Sequence, residues 1–272
     1  MKTDVQNNHK LEEEFKEQLK MPFVITVCSG KGGVGKSFCA ANLAYALSKQ
    51  SLSVLIWDAN LHYPNQHILF GVEPPVRLKE VYSGKKKVES AIYRIEDNLF
   101  ILADQFASGK NHVLKSSEIL DVYIDILQTT KFDIIIIDTP ASDTEDVFQC
   151  CNIADLVCVV VTDEPTSLLD AYGLVKILLG FIDKGKIHLL VNNVIDGEDA
   201  DDITEKMNLA AKKFLNVRLD VIGFIPYDRA VKQSILNQEL YMMTNVGSEA
   251  VNSLIELSGK IKAYSAVFQN VK

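Results

Sequence analysis

No apolar run in the sequence approaches the ~18 residues of a membrane-spanning helix, and the first residues lack a signal-peptide pattern, so a cytoplasmic chain is expected. There is no excess of basic residues either. Against 28 Lys and Arg stand 36 Asp and Glu, a net charge of −8. That balance argues against a general nucleic-acid binder, which carries a basic face. The cysteines Cys28, Cys39, Cys150, Cys151 and Cys158 contain no Cys-x-x-Cys pair and fall in segments patterned as strand or helix. Free buried thiols in a reducing compartment are expected, rather than a metal or redox site. What the chain does have is 272 residues, 47% of them hydrophobic, enough to bury a substantial core. Length alone leaves open one large α/β domain or two small ones.

One stretch organises the rest: Ser29-Gly30-Lys31-Gly32-Gly33-Val34-Gly35-Lys36-Ser37. The run Phe23–Cys28 before it is apolar and rich in β-branched residues, which predicts a buried strand. The alanine-rich run from Phe38 to Leu47 after it has helical spacing. Strand, glycine loop, Gly-Lys-Ser and helix form the context of a phosphate-binding P-loop. Glycines let backbone N–H groups converge on an anion, and the helix N-terminus adds its positive dipole. In that pattern Lys36 reaches the β- and γ-phosphates and the Ser37 hydroxyl sits on Mg²⁺. Gly32, Gly33, Val34, Gly35 and Phe38 complete the expected nucleotide-binding set.

Two further strands end in carboxylates. Ser53–Asp58 reads as a second parallel strand, and Phe132–Asp138, with four consecutive isoleucines, reads as a central one. Asp138 at a strand's carboxyl end stands where a carboxylate holds Mg²⁺ through water. Asn98–Ala103 and Asp155–Thr162 read as strands, and residues 112–129 as an amphipathic helix. Strands alternating with helices, with ligand motifs at strand ends, predict a doubly wound α/β fold with a mostly parallel sheet.

The extra lysine in Lys31-Gly32-Gly33-Val34-Gly35-Lys36-Ser37 makes this motif resemble the deviant Walker A loop of the MinD/ParA-type ATPases, within the SIMIBI class of P-loop NTPases. That resemblance implies ATP or ADP with Mg²⁺ as ligands and an ATP-dependent homodimer in which Lys31 acts across the interface. Asp58-Ala59-Asn60-Leu61 stands where that family has Asp-x-Asp. Asp58 matches the first aspartate, which organises Mg²⁺ and the P-loop. Asn60 replaces the second, which orients the attacking water; an amide cannot accept the water's proton, so slow or lost hydrolysis is expected. Thr139-Pro140-Ala141-Ser142 falls in switch II, with Ser142 where relatives often have a glycine.

From residue 163 the likeness narrows. Glu164-Pro165-Thr166-Ser167 followed by Asp170-Ala171-Tyr172, then Ile187–Asn193, Phe214–Val217 and Ile222–Val231, resembles the FlhG (FleN, YlxH) family that controls flagellar number and placement. The resemblance implies contact of Asn192 with adenine, and of the loop at Pro226 and Tyr227 with the base. Turn and cap roles at strand ends remain the alternative for these residues. It also implies partners such as the GTPase FlhF or the flagellar switch complex, although the Asp-Gln-Ala motif that stimulates FlhF is absent. The competing readings are a nucleotide-locked scaffold and a ParA-like DNA partitioner, the latter disfavoured by the acidic balance.

Three segments are expected: a charged helical extension over 1–20, a MinD-like ATPase domain over 21–260 and an amphipathic tail over 261–272. Leu11, Phe15 and Leu19 give the extension a narrow apolar stripe, which fits a partner's groove or the chain's own surface. In the tail, Leu257, Ile261, Tyr264, Phe268 and Val271 form a helical stripe beside Lys260, Lys262 and Lys272. It serves either peripheral membrane contact or docking on the domain.

Overall fold

The β-branched runs become strands buried on both sides. In the computed structural model these are β1 (Phe23–Cys28), β2 (Val54–Asp58), β4 (Leu99–Leu102), β5 (Ile134–Asp138), β6 (Leu156–Val161) and β7 (Ile187–Val194), while β8 (Asp220–Pro226), partly exposed, forms one edge. The structure describes residues 21–61, 63–104, 116–129, 132–141 and 143–271. The extension over 1–20 and Ser142 lie outside the described residues. The sheet runs β3-β4-β2-β5-β1-β6-β7-β8, parallel throughout except that β3 (Tyr93–Glu96) pairs antiparallel with β4. This edge strand, with its exposed Arg94, was not read from the sequence; four half-covered residues give too short an alternation to register.

Alternate residues of each strand feed two cores. Val24 and Cys28 join one, and Phe23, Ile25 and Val27 the other. The first lies under α5 (Ser116–Thr129), α6 (Glu145–Ile153), α7 (Pro165–Leu178) and α8 (Gly197–Leu215), with the short α3 (Leu78–Tyr82) and α4 (Val88–Ala91). The second lies under α1 (Lys36–Ser48), α10 (Tyr241–Thr244) and α11 (Glu249–Val271). Helix α1 is buried nearly all round because it is wedged between the sheet and α11; its alanines allow that close approach. All five cysteines are buried and free. No helix among the described residues is long and apolar enough to cross a membrane.

Helix α11 runs unbroken through residues 260 and 261. Its stripe lies on the domain: Leu257 and Ile261 are buried, and Phe23 meets the rings of Tyr264 and Phe268 edge-on at 6.0 and 5.6 Å. Lys262 donates to the Gln50 carbonyl, and Gln50 donates to Ser258 Oγ, tying α11 to the end of α1. Ile261→Ala is therefore expected to lower unfolding free energy in urea by about 2–5 kcal/mol. A helix that functions off the domain would shift it by less than about 1 kcal/mol.

Candidate functional site

The carboxyl ends of the central strands meet at one edge of the sheet, where ligands of open α/β folds bind. The loop between β1 and α1 lies there. Gly35 is the N-cap of α1 at φ 92°, a left-handed conformation that favours glycine. A Cβ at Gly35 would also lie 2.3 Å from Asn192 Nδ2. Gly30 is equally constrained, since a Cβ there would come within 2.2 Å of the Asp170 carbonyl oxygen in α7. Lys36 folds back under the loop, buried, and donates to Ser29 Oγ at 3.0 Å; Ser29 Oγ in turn donates to the Lys31 carbonyl at 2.6 Å. Burial lowers the Lys36 pKa, with Asp138 opposing that shift. The loop thus presents helix N–H groups and a desolvated ammonium to one point, an anion cradle.

Beside it lie two carboxylates. Asp58 and Asp138 are register partners at the ends of the adjacent strands β2 and β5, both fully buried. Asp58 accepts backbone N–H bonds from Asn60, Asn65 and Gln66 at 3.0, 2.9 and 3.0 Å, which fastens the following turn and the short α2 (Gln66–Leu69). Burial and the neighbouring Asp138 raise the Asp58 pKa against those three bonds. Burial raises that of Asp138 too, against its bond from Gln66. Two carboxylates so placed are a locus that a cation would relieve.

A cleft of about 720 Å³ collects Gly32, Gly33, Gly35, Lys36, Ser37, Phe38, Asn60, Thr139 and Asp146. Adjoining it through Gly33, Gly35, Phe38 and Ile235 is a second cavity of about 550 Å³, with Asn192, Pro226, Tyr227 and Asp228 on its walls. Asn192 donates its amide to the Val34 carbonyl at 2.8 Å, bracing the P-loop. Tyr241 donates to Asp228 at 2.6 Å and its ring lies 5.4 Å from that of Phe38, linking the loop after β8 to α1. The sequence-predicted residues Lys36, Ser37, Asn60, Asn192, Pro226 and Tyr227 are therefore brought to one continuous hollow, with Asp58 and Asp138 buried at the strand ends beneath it.

In the single chain Lys31 is held by neighbours of its own. Its ammonium pairs with Glu164 of its own chain and donates to Thr166 Oγ1 at 2.8 Å. Asn60 uses its side-chain oxygen to accept from the Tyr63 N–H at 3.3 Å. Sequence reasoning missed Asn65, Gln66 and Ile235. The first two sit in a segment without periodicity, and Ile235 looks like any helical apolar residue.

A P-loop cradle, paired strand-end carboxylates and an adjoining cavity walled by the β8 loop define a nucleotide-binding α/β domain. The chain belongs to the CobQ/CobB/MinD/ParA nucleotide binding domain family, whose model matches residues 25–241. It is 30% identical over 220 residues to the antiactivator FleN of Pseudomonas aeruginosa, covering 79% of this chain and 77% of that protein. To the flagellum site-determining protein YlxH of Helicobacter pylori it is 28% identical over 220 residues, 79% of this chain and 74% of that one. The resemblance to the FlhG family read from the stretch after residue 163 thus extends over most of the chain. Among solved structures, the cell division ATPase MinD of Pyrococcus furiosus matches with a TM-score of 0.73 at 28% identity, over 90% of this chain and 100% of that one. MinD of Pyrococcus horikoshii, complexed with Mg-ADP, gives a TM-score of 0.75 at 24% identity, over 91% of this chain and 98% of that one.

Proposed function

We propose that the chain is an FlhG-like ATP-binding switch that dimerises around ATP·Mg²⁺ and hydrolyses it slowly, acting on flagellar number, placement or assembly from the cytoplasm. The observation that carries it is the cradle itself: Lys36, the α1 N-terminus and the buried Asp58–Asp138 pair at one sheet edge. The likeness to FleN and YlxH supports the flagellar setting. The GTPase FlhF and switch-complex components are the partners the family suggests, and a DNA-partitioning role is disfavoured by the net charge.

The residues fit the metal. Ser37, Asp58 and Asp138 offer only oxygen, the donor set of a hard cation such as Mg²⁺, and Asp138 Oδ1 is buried without a hydrogen-bond partner among the described residues. Bound there, Mg²⁺ would neutralise charge on the phosphates. The protein's own share is to hold the triphosphate with Lys36 and the loop N–H groups, and to receive the base in the cavity walled by Asn192, Pro226 and Tyr227. With its N–H on Val34, Asn192 turns its oxygen to other partners; an acceptor there suits the adenine amino group.

The test is mass by light scattering with ATP, with ADP and without nucleotide, alongside binding of a fluorescent ATP analogue. A doubling of mass that only ATP produces supports the reading, and a chain that binds no ATP sinks it. Lys31→Ala should bind ATP but remain monomeric. Glu164→Gln should dimerise at roughly two- to fivefold lower protein concentration, because the exposed pair that holds Lys31 at home is worth under about 1 kcal/mol. Unchanged dimerisation in Lys31→Ala would remove the role of that lysine across the interface. Binding and dimerisation without turnover would favour the scaffold reading, for which Asn60 is the specific observation.

A further inference from the structure

The turn after β2 contributes more to the metal site than the sequence motif contains. Gln66, fully buried, donates its side-chain amide to Asp138 Oδ2 at 2.7 Å and to the Ser37 carbonyl at 3.1 Å. Its own backbone N–H donates to Asp58 Oδ2 at 3.0 Å. One residue thus joins the start of α1, the end of β5 and the end of β2. Asn65 beside it donates its side-chain amide to Ser37 Oγ at 3.0 Å. Both carboxamides have their N–H groups engaged, yet Gln66 Oε1 and Asn65 Oδ1 are buried with no hydrogen-bond partner among the described residues, as is Asp138 Oδ1.

Orphaned buried oxygens are costly, and these three belong to residues joined to one another through Ser37 and Asp138, so one source of donors would serve them. Among the described residues no protein N–H group supplies it. A hydrated cation does, because each metal-bound water offers two protons to surrounding acceptors. Outer-sphere partners of this kind orient ligating carboxylates and tune the metal. We propose that Gln66, with Asn65, is a positioning residue of the Mg²⁺ site: its amide fixes Asp138 while its oxygen accepts from water on the metal. Metal loading is thereby coupled to the turn Tyr63–Gln66, whose exposed Tyr63 lines the cleft. The inference rests on the nucleotide-binding reading and adds residues to it.

The experiment is a Mg²⁺ titration of fluorescent-ATP binding by the full chain, starting in EDTA. Gln66→Met keeps side-chain length and removes both polar groups. Its midpoint in Mg²⁺ should rise about tenfold or more, the usual effect of losing an outer-sphere partner, with metal-free ATP affinity within about twofold of wild type. An unchanged midpoint in Gln66→Met overturns the proposal. So does an equal loss of metal-free affinity, which would mark a structural role. A wild-type chain that binds no ATP under any condition overturns the nucleotide reading as well. Tight wild-type binding with an indifferent variant overturns only the role of Gln66.

Discussion

Lys36→Met is expected to weaken ATP binding by roughly 30-fold to several thousandfold, as truncating one partner of a desolvated charge pair costs about 2–5 kcal/mol. The free protein should lose almost no stability. Lys36 is buried, and among the described residues its ammonium donates only to the neutral Ser29 hydroxyl, at 3.0 Å. Desolvation is the largest influence on its charge, so the folded chain carries the ammonium at a cost. Methionine keeps the aliphatic stem against the loop and removes that cost. Calorimetric titration with ATP and thermal unfolding without it separate the two effects. Equal losses in both would mean that Lys36 holds the loop together rather than the phosphate.

The same contrast explains what was legible in the sequence. The P-loop can be read because its chemistry is local: backbone N–H groups, a helix start and one lysine all lie within nine residues. The parallel core can be read because strands buried on two faces must be apolar throughout, as Ile134–Ile137 are. The pairing of Asp58 with Asp138 was inferable only because both end such strands. Gln66 was not legible. Its role depends on a turn that three backbone N–H groups fold onto Asp58, and that contact has no periodicity to betray it. The engagement of Lys31 with Glu164 and Thr166 was equally hidden, because it joins residues 133 and 135 positions apart. The stripe on α11 could be seen, but periodicity cannot say which surface a stripe meets; the rings of Phe23, Tyr264 and Phe268 answer that for this chain.

Asn60→Asp is expected to raise single-turnover ATP cleavage by about 10²–10⁴, the range a well-placed general base contributes. Asn60 lines the cleft with Lys36, Ser37 and Thr139, so its side chain is within the region where a γ-phosphate and its attacking water would lie. Aspartate has the same shape and can still accept from the Tyr63 N–H that Asn60 Oδ1 now receives. The turn should therefore survive the exchange while gaining a proton acceptor. The added charge sits two residues from the buried Asp58, so the metal-free variant should be somewhat less stable and regain that stability with Mg²⁺. Of the carboxylates just beyond switch II, Asp143 and Glu145 are exposed, whereas Asp146 in the first turn of α6 lines the same cleft. This gives the measurement a built-in control. If Asn60 is the reason for slow turnover, Asp146→Asn leaves the wild-type rate unchanged and Asn60→Asp raises it. If wild type already cleaves ATP well, and Asp146→Asn abolishes that while Asn60→Asp adds nothing, the base is supplied from α6 and the asparagine at position 60 is compensated.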